Sequence, residues 1–339
     1  MKTNLTKVAV ASLTALVIGH ASAQESVSKP VGYETLNLVT GFNYIGLRLH
    51  EAPVISGEPT LVDGAVVTVA DGVADALTPG ETYILEVTEG DATGDTVLIS
   101  SFDAANDTLT LSIDLSANLF PNDAVFTIRP SADLESVFGL SNSANLTSGP
   151  GLATSDQVWI PNGSGGYNKY FYGEGGGFGV QEGWKDSSEN LVTAADVNLV
   201  YTNGIIVFAL APNDLVVSGS VKVTPTTYSL QTKFNLVGSV YPVGATLSSL
   251  FGAANESQLT SGPGIATSDQ VWIPGVGGFE KYFYGEGGGF GVQEGWKDSA
   301  EVLVPDPADV DIPSGLIIFR QSESESFVFG SEPTFYANL

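Results

Sequence analysis

Residues 169–187 read KYFYGEGGGFGVQEGWKDS, and the same run returns unchanged at residues 281–299. No other feature constrains the fold as strongly. A segment that occurs twice must make the same local structure twice. The spacing far exceeds the roughly 20–50-residue periods of stacked repeats, so it reads as a duplicated module rather than a solenoid. The likeness extends outward. Residues 146–161 (LTSGPGLATSDQVWIP) match residues 259–274 (LTSGPGIATSDQVWIP), and Gly204-Ile205-Ile206-Val207-Phe208 matches Gly315-Leu316-Ile317-Ile318-Phe319. Upstream, Phe234-Asn235-Leu236-Val237-Gly238 finds its counterpart in Phe42-Asn43-Tyr44-Ile45-Gly46. The next matching block follows closely in copy two, at Leu247, but only at Leu134 in copy one. Copy one, residues 24–225, is therefore expected to carry an insertion at about 51–131. Copy two spans 226–339.

The expected fold class is all-β: two duplicated sandwich- or barrel-like modules with one short helix each, the first holding a small inserted β barrel or sandwich. In the insert, residues 108–115 alternate with Leu109, Leu111, Ile113 and Leu115 on one face, the period of a half-buried strand. Residues 65–69, 82–87, 96–100 and 124–128 supply four more strand-like runs between turn-forming pairs. In the modules, Leu134, Val137 and Phe138 have helical spacing behind Asp133 as N-cap and before Gly139. Leu247, Leu250 and Phe251 repeat that pattern behind Thr246.

Composition removes several function classes. Without cysteine there is no disulfide, thiolate metal site or cysteine nucleophile. With 38 acidic against 12 basic residues the net charge is −26, which opposes binding to nucleic acid or anionic membranes. Residues 51–131 alone hold 14 acids and one base, Arg129. The N-terminus reads as an export signal: Lys2 and Lys7, an apolar run over residues 8–18, then Ala21-Ser22-Ala23 as a cleavage site. The run is too short to span a bilayer. A signal peptide at 1–23 predicts an exported protein with no membrane span, placed in the periplasm, on the cell surface or outside the cell. His20 would be removed with it, leaving His50 as the one histidine. A multi-histidine metal site or a Ser-His-Asp triad elsewhere is then excluded.

A wider pattern follows from Gly80-Glu81-Thr82-Tyr83-Ile84-Leu85-Glu86-Val87, Asn106-Asp107-Thr108-Leu109-Thr110, Ile128-Arg129-Pro130, the Leu-x-x-Val-Phe-Gly helix, Gly183-Trp184-Lys185 and Ile312-Pro313-Ser314-Gly315-Leu316-Ile317-Ile318-Phe319-Arg320. In this order they resemble a paralogous family of exported, β-rich proteins of unknown function from Verrucomicrobia-type bacteria. The family often has Arg after its Gly-Trp; Lys185 and Lys297 stand there instead. The resemblance implies export and an all-β fold, and supplies no catalytic residue.

No catalytic residue is assigned from the sequence, and the expectation is a non-catalytic surface or extracellular-matrix protein that needs no cofactor. The alternative is polysaccharide binding through Tyr170, Tyr172, Trp184, Tyr282, Tyr284 and Trp296, because aromatic rings stack on the apolar faces of sugars. Polysaccharide or other surface proteins are the expected partners. A third reading takes Glu174 and Glu182 as the carboxylate pair of a glycoside hydrolase, but a glycine-rich loop holds such a pair poorly. Calcium is the one cation considered, through Asp306, Asp309 and Asp311 or Asp91 and Asp95, although the EF-hand pattern is absent.

Overall fold

The computed structural model describes residues 31–114, 124–176, 180–241, 244–275, 277–288, 292–321 and 327–329. Residues 1–23, expected as an export signal, Leu115, and Gly177 to Gly179 of the first glycine-rich loop lie outside them. The protein is all-β, and among the described residues every strand-to-strand pairing is antiparallel, isolated bridges aside. Among the described residues no helix is long and apolar enough to cross a membrane.

Each copy builds a five-stranded sheet in the same order. In copy one it runs Gly183–Asp186, Tyr167–Gly173, Gln157–Pro161, Ile205–Ala209, Gly41–Ile45. In copy two it runs Gly295–Asp298, Gly278–Gly285, Gln270–Gly275, Gly315–Arg320, Lys233–Gly238. A second, smaller sheet pairs Val31–Leu38 with Asn213–Val221 in copy one, and Thr226–Tyr228 with Phe327–Phe329 in copy two. The predicted helices form at Leu134–Phe138 and Leu247–Phe251. Asp133 and Thr246 close capping boxes with Ser136 and Ser249, satisfying amide donors that a helix start leaves open. Gly139 and Gly252 end the helices at φ 86° and 84°, a region that glycine reaches without a Cβ penalty.

Between Gly46 and Leu134 the chain builds a seven-stranded sheet with its own apolar core around Val67, Leu85, Leu109, Phe126 and Ile128. Its two outermost strands, Ile55–Gly57 and Pro59–Asp63, are consecutive in the chain, so the sheet curls toward a barrel. These two strands go beyond the five expected from the sequence. The strand expected over 108–115 is observed as Thr108–Leu111. Both copies share one larger core, which includes Leu134, Phe138, Trp184, Leu247, Phe251 and Trp296.

Candidate functional site

Among the described residues the repeated segment makes matching contacts in both copies, because its polar residues tie the same groups together. Buried Asp156 accepts from the amides of Thr147 and Leu210, both at 2.7 Å. Asp269 accepts from those of Thr260 and Gln321 at the same distance. These carboxylates clamp the preceding loop against the sheet. Gln157 donates to the Leu152 carbonyl at 2.9 Å and accepts from Trp159 Nε1 at 2.8 Å. Gln270 does the same between Ile265 and Trp272, both at 2.8 Å. The amide fixes the orientation of the indole and uses its only hydrogen-bond donor.

The six aromatic residues singled out from the sequence lie elsewhere. Trp184 and Trp296 are each 2% exposed and donate Nε1 to the Gly139 and Gly252 carbonyls at 3.0 and 2.8 Å. Tyr172 and Tyr284 are buried against these tryptophans, with their hydroxyls donating to Glu182 and Glu294. Tyr170 and Tyr282 are half-buried on the core side. Tyr282 donates to Glu280 at 2.9 Å, and burial, reinforced by that carboxylate, pushes its hydroxyl up to about 12. A ring enclosed in the core has no face to offer a sugar. The binding assignment of Trp184, Trp296, Tyr172 and Tyr284 is therefore corrected: these residues pack helix and sheet together. Trp159 and Trp272 lie half-buried on the opposite face of the sheet.

That opposite face carries an aromatic dish in each copy. Alternation turns Val158 inward and Trp159 outward. Phe42 meets Trp159 at 5.3 Å and 76°, and meets Phe208 at 5.0 Å and 56°. Lys169 Nζ sits 3.7 Å above the centre of the Trp159 ring. In copy two, Phe234 meets Trp272 at 5.1 Å and 75° and Phe319 at 5.0 Å and 58°, with Lys281 Nζ again at 3.7 Å. Phe42 is 51% and Phe234 59% exposed. The first dish encloses about 370 Å³, with Leu152 and Ala153 on its rim.

The two dishes are linked. Tyr44 shares a face with Phe42 two residues away and meets Phe279 of copy two at 5.0 Å, and Phe279 meets Trp272 at 5.7 Å. One aromatic stripe thus crosses both modules. At the pseudo-equivalent place Leu236 stands for Tyr44 and Tyr167 for Phe279. There the smaller leucine leaves a cleft of about 480 Å³, also lined by Asp95, Asp114, Asn203, Gln231 and Phe234.

A charged cluster is buried where the insert meets copy one. Glu86 is paired with Arg129 at 2.8 Å and Lys222 at 3.6 Å, and accepts a hydrogen bond from Tyr201. Burial alone would raise the Glu86 carboxyl, but Lys222 and Arg129 hold it at about 2. Burial lowers Lys222 to about 8 against the pull of Glu86. His50 packs on the Tyr201 ring at 4.5 Å, with Nε2 3.4 Å from the Val240 carbonyl of copy two. Burial, with Arg129 next in effect, takes it down to about 3, so it is neutral at pH 7. No strand pattern advertised this cluster, since its members lie on separate elements.

Glu174 and Glu182 are exposed and hold different partners, Ser148 Oγ at 3.2 Å and the Tyr172 hydroxyl at 3.0 Å. Neither lines the dish or the cleft. Asp306 caps the turn Pro307–Asp309 by accepting from Ala308 N. Among the described residues no three His, Cys, Asp or Glu side chains converge as a metal site would require.

Fold and surface together define an internally duplicated all-β protein that repeats one aromatic–cationic face in each copy. No family model matches the chain, and neither does any curated protein or solved structure.

Proposed function

We propose that this is a non-catalytic exported protein of a cell surface or extracellular matrix that binds polysaccharide along its aromatic stripe. The carrying observation is the recurrence of one Phe–Trp–Phe–Lys arrangement, with matching distances and angles, on the outer face of both copies. Core packing does not require phenylalanines that are more than half exposed. Exposed rings of fixed orientation suit the apolar faces of pyranoses, and the buried glutamine amides set the indoles before any ligand arrives. Two linked dishes suit a polymer, because occupying the first raises the effective concentration at the second. Export rests on the signal segment and on the resemblance to exported β-rich proteins.

The test is binding of purified chain to immobilised polysaccharides, for wild type and for the double variant Trp159→Ala, Trp272→Ala. Retention by at least one polymer, lost in the folded double variant, is expected. Equal retention of both proteins, or no polymer bound at all, would overturn the reading.

A further inference from the structure

Resting on that reading, we infer that the polymer is acidic, a polysaccharide bearing uronic acid residues. The inference comes from where this acidic chain leaves its few cations. Arg129, Lys185, Lys222, Lys297 and Arg320 are buried, and Arg48 is paired with Glu34 at 3.2 Å. Among the described residues this leaves Lys169, Lys281 and Lys233 reaching the surface. Two of the three stand over the tryptophans of the stripe, at equivalent positions. A net charge of −26 makes such placement costly to a neutral ligand's case and informative for an anionic one. On so acidic a chain an anion is favoured only where an ammonium is held out to meet it.

The geometry also bears on which anion. Each dish offers one ammonium on a flexible stem, a point charge rather than the planar fork of an arginine. The indole beneath it is capped by that ammonium, and the exposed ring of Phe42 or Phe234 in the same dish offers the face on which a sugar stacks. A uronate carries its carboxylate on the edge of the ring, so stacking and ion pairing are met by one residue of the polymer. A densely sulfated chain would instead bring several anions against a strongly acidic surface for each ammonium met. Glu280, exposed beside Lys281, is turned to the opposite face, where Tyr282 donates to it.

Homogalacturonan provides the probe, because methyl esterification removes its charge and leaves the backbone intact. Affinity for the de-esterified polymer is expected to exceed that for the esterified one by about fivefold at low salt, two weak exposed ion pairs acting together. Raising the salt should narrow the gap. The double variant Lys169→Met, Lys281→Met keeps the stems over the rings and should bring the ratio near one. Lys233→Met removes a charge outside the dishes and should leave the ratio as in wild type.

Equal affinity for both forms would overturn the acidic preference and leave the stripe as a neutral-sugar site. Tighter binding of dextran sulfate than of de-esterified homogalacturonan would also overturn it, in favour of sulfate. Loss of the preference in Lys233→Met as well would reduce it to a net-charge effect and overturn the assignment to the dishes. If no polymer is held by wild type, the underlying reading fails first.

Discussion

Gly46, just past the strand Gly41–Ile45, and Gly238, at the end of the equivalent strand Lys233–Gly238, meet. A Cβ built on Gly46 would stand 2.5 Å from the Gly238 Cα and closer still to the Ser314 carbonyl oxygen. From the other side, a Cβ on Gly238 would stand 3.2 Å from the Gly46 Cα and 3.4 Å from the Asn203 carbonyl oxygen. Asn203 and Ser314 are themselves counterparts. The contacts thus exchange between copies, as in an isologous two-fold interface, here between halves of one chain.

This packing makes the junction intolerant of a single methyl group. Gly46→Ala must push apart two backbones, since no flexible side chain is there to yield. The expected cost is about 1–3 kcal/mol, the range for overpacking a close-packed contact. Thermal unfolding followed by circular dichroism measures it. An unchanged midpoint would mean that the copies do not rely on this approach.

The cluster around Glu86 should behave as a buried ion network does. Glu86→Gln leaves Arg129 and Lys222 enclosed without a counter-charge, at a cost of about 3–5 kcal/mol. Replacing all three by Leu, Met and Met removes the charges together and should cost less than that single change. Urea unfolding of the two variants decides the order. If the triple variant is the weaker, the cluster stabilises through geometry rather than through mutual neutralisation.

Acid should weaken the fold in two overlapping windows. His50 titrates at about 3 when folded, against an ordinary value of 6.5. Between those values the unfolded chain binds a proton that the folded chain refuses, so stability falls with falling pH by about 1.4 kcal/mol per unit. Glu86, at about 2 against 4.5, acts in the same direction: its contribution is present above 4.5 and is lost as pH falls toward 2. Arg129, Lys222, Glu86 and Tyr201 all face His50 in this cluster. Unfolding free energy measured from pH 7 to 4.5 should therefore decline, and His50→Gln should flatten the upper part of that slope. A slope that persists in the variant would assign it to other groups.

Local features were readable without coordinates, and features set by coverage were not. The helix caps at Asp133 and Thr246 and the stops at Gly139 and Gly252 depend on a few adjacent residues, so their types sufficed. Alternation puts Tyr170 and Tyr172 on one face of Tyr167–Gly173 and Phe171 on the other. It could not tell which face is open, because Phe171 and Tyr172 are both buried: the loop clamped by Asp156 lies across one side and the helix packs on the other. Trp159, flanked directly by Val158 and Ile160, looks in sequence like one more core residue. Only the strand Gly41–Ile45, two strands across the sheet and separated from Trp159 in the chain by the inserted barrel, shows that Phe42 and Trp159 share a surface. The strands Ile55–Gly57 and Pro59–Asp63 were hidden for a different reason: three to five residues broken by Gly and Pro carry too little period to register.

The two pairs of tryptophans should separate stability from binding. Trp184→Ala removes a ring that is 2% exposed and a hydrogen bond to Gly139, and should cost about 3–5 kcal/mol as large core truncations do. Trp296→Ala should match it, since the packing against Phe251 and the bond to Gly252 are equivalent. Trp159→Ala and Trp272→Ala remove half-buried rings from the outer face. Each loses part of its contact with Phe42 or Phe234, about 0.5–1.5 kcal/mol for an aromatic pair beyond area. Polymer retention should follow the reverse order: unchanged in whatever fraction of Trp184→Ala remains folded, reduced in either outer variant, and absent when both outer rings are gone. Midpoints from thermal unfolding set beside retention for these five variants make the comparison. A stable Trp184→Ala that loses retention would return the site to the hairpin; a retained double outer variant would take it off the stripe.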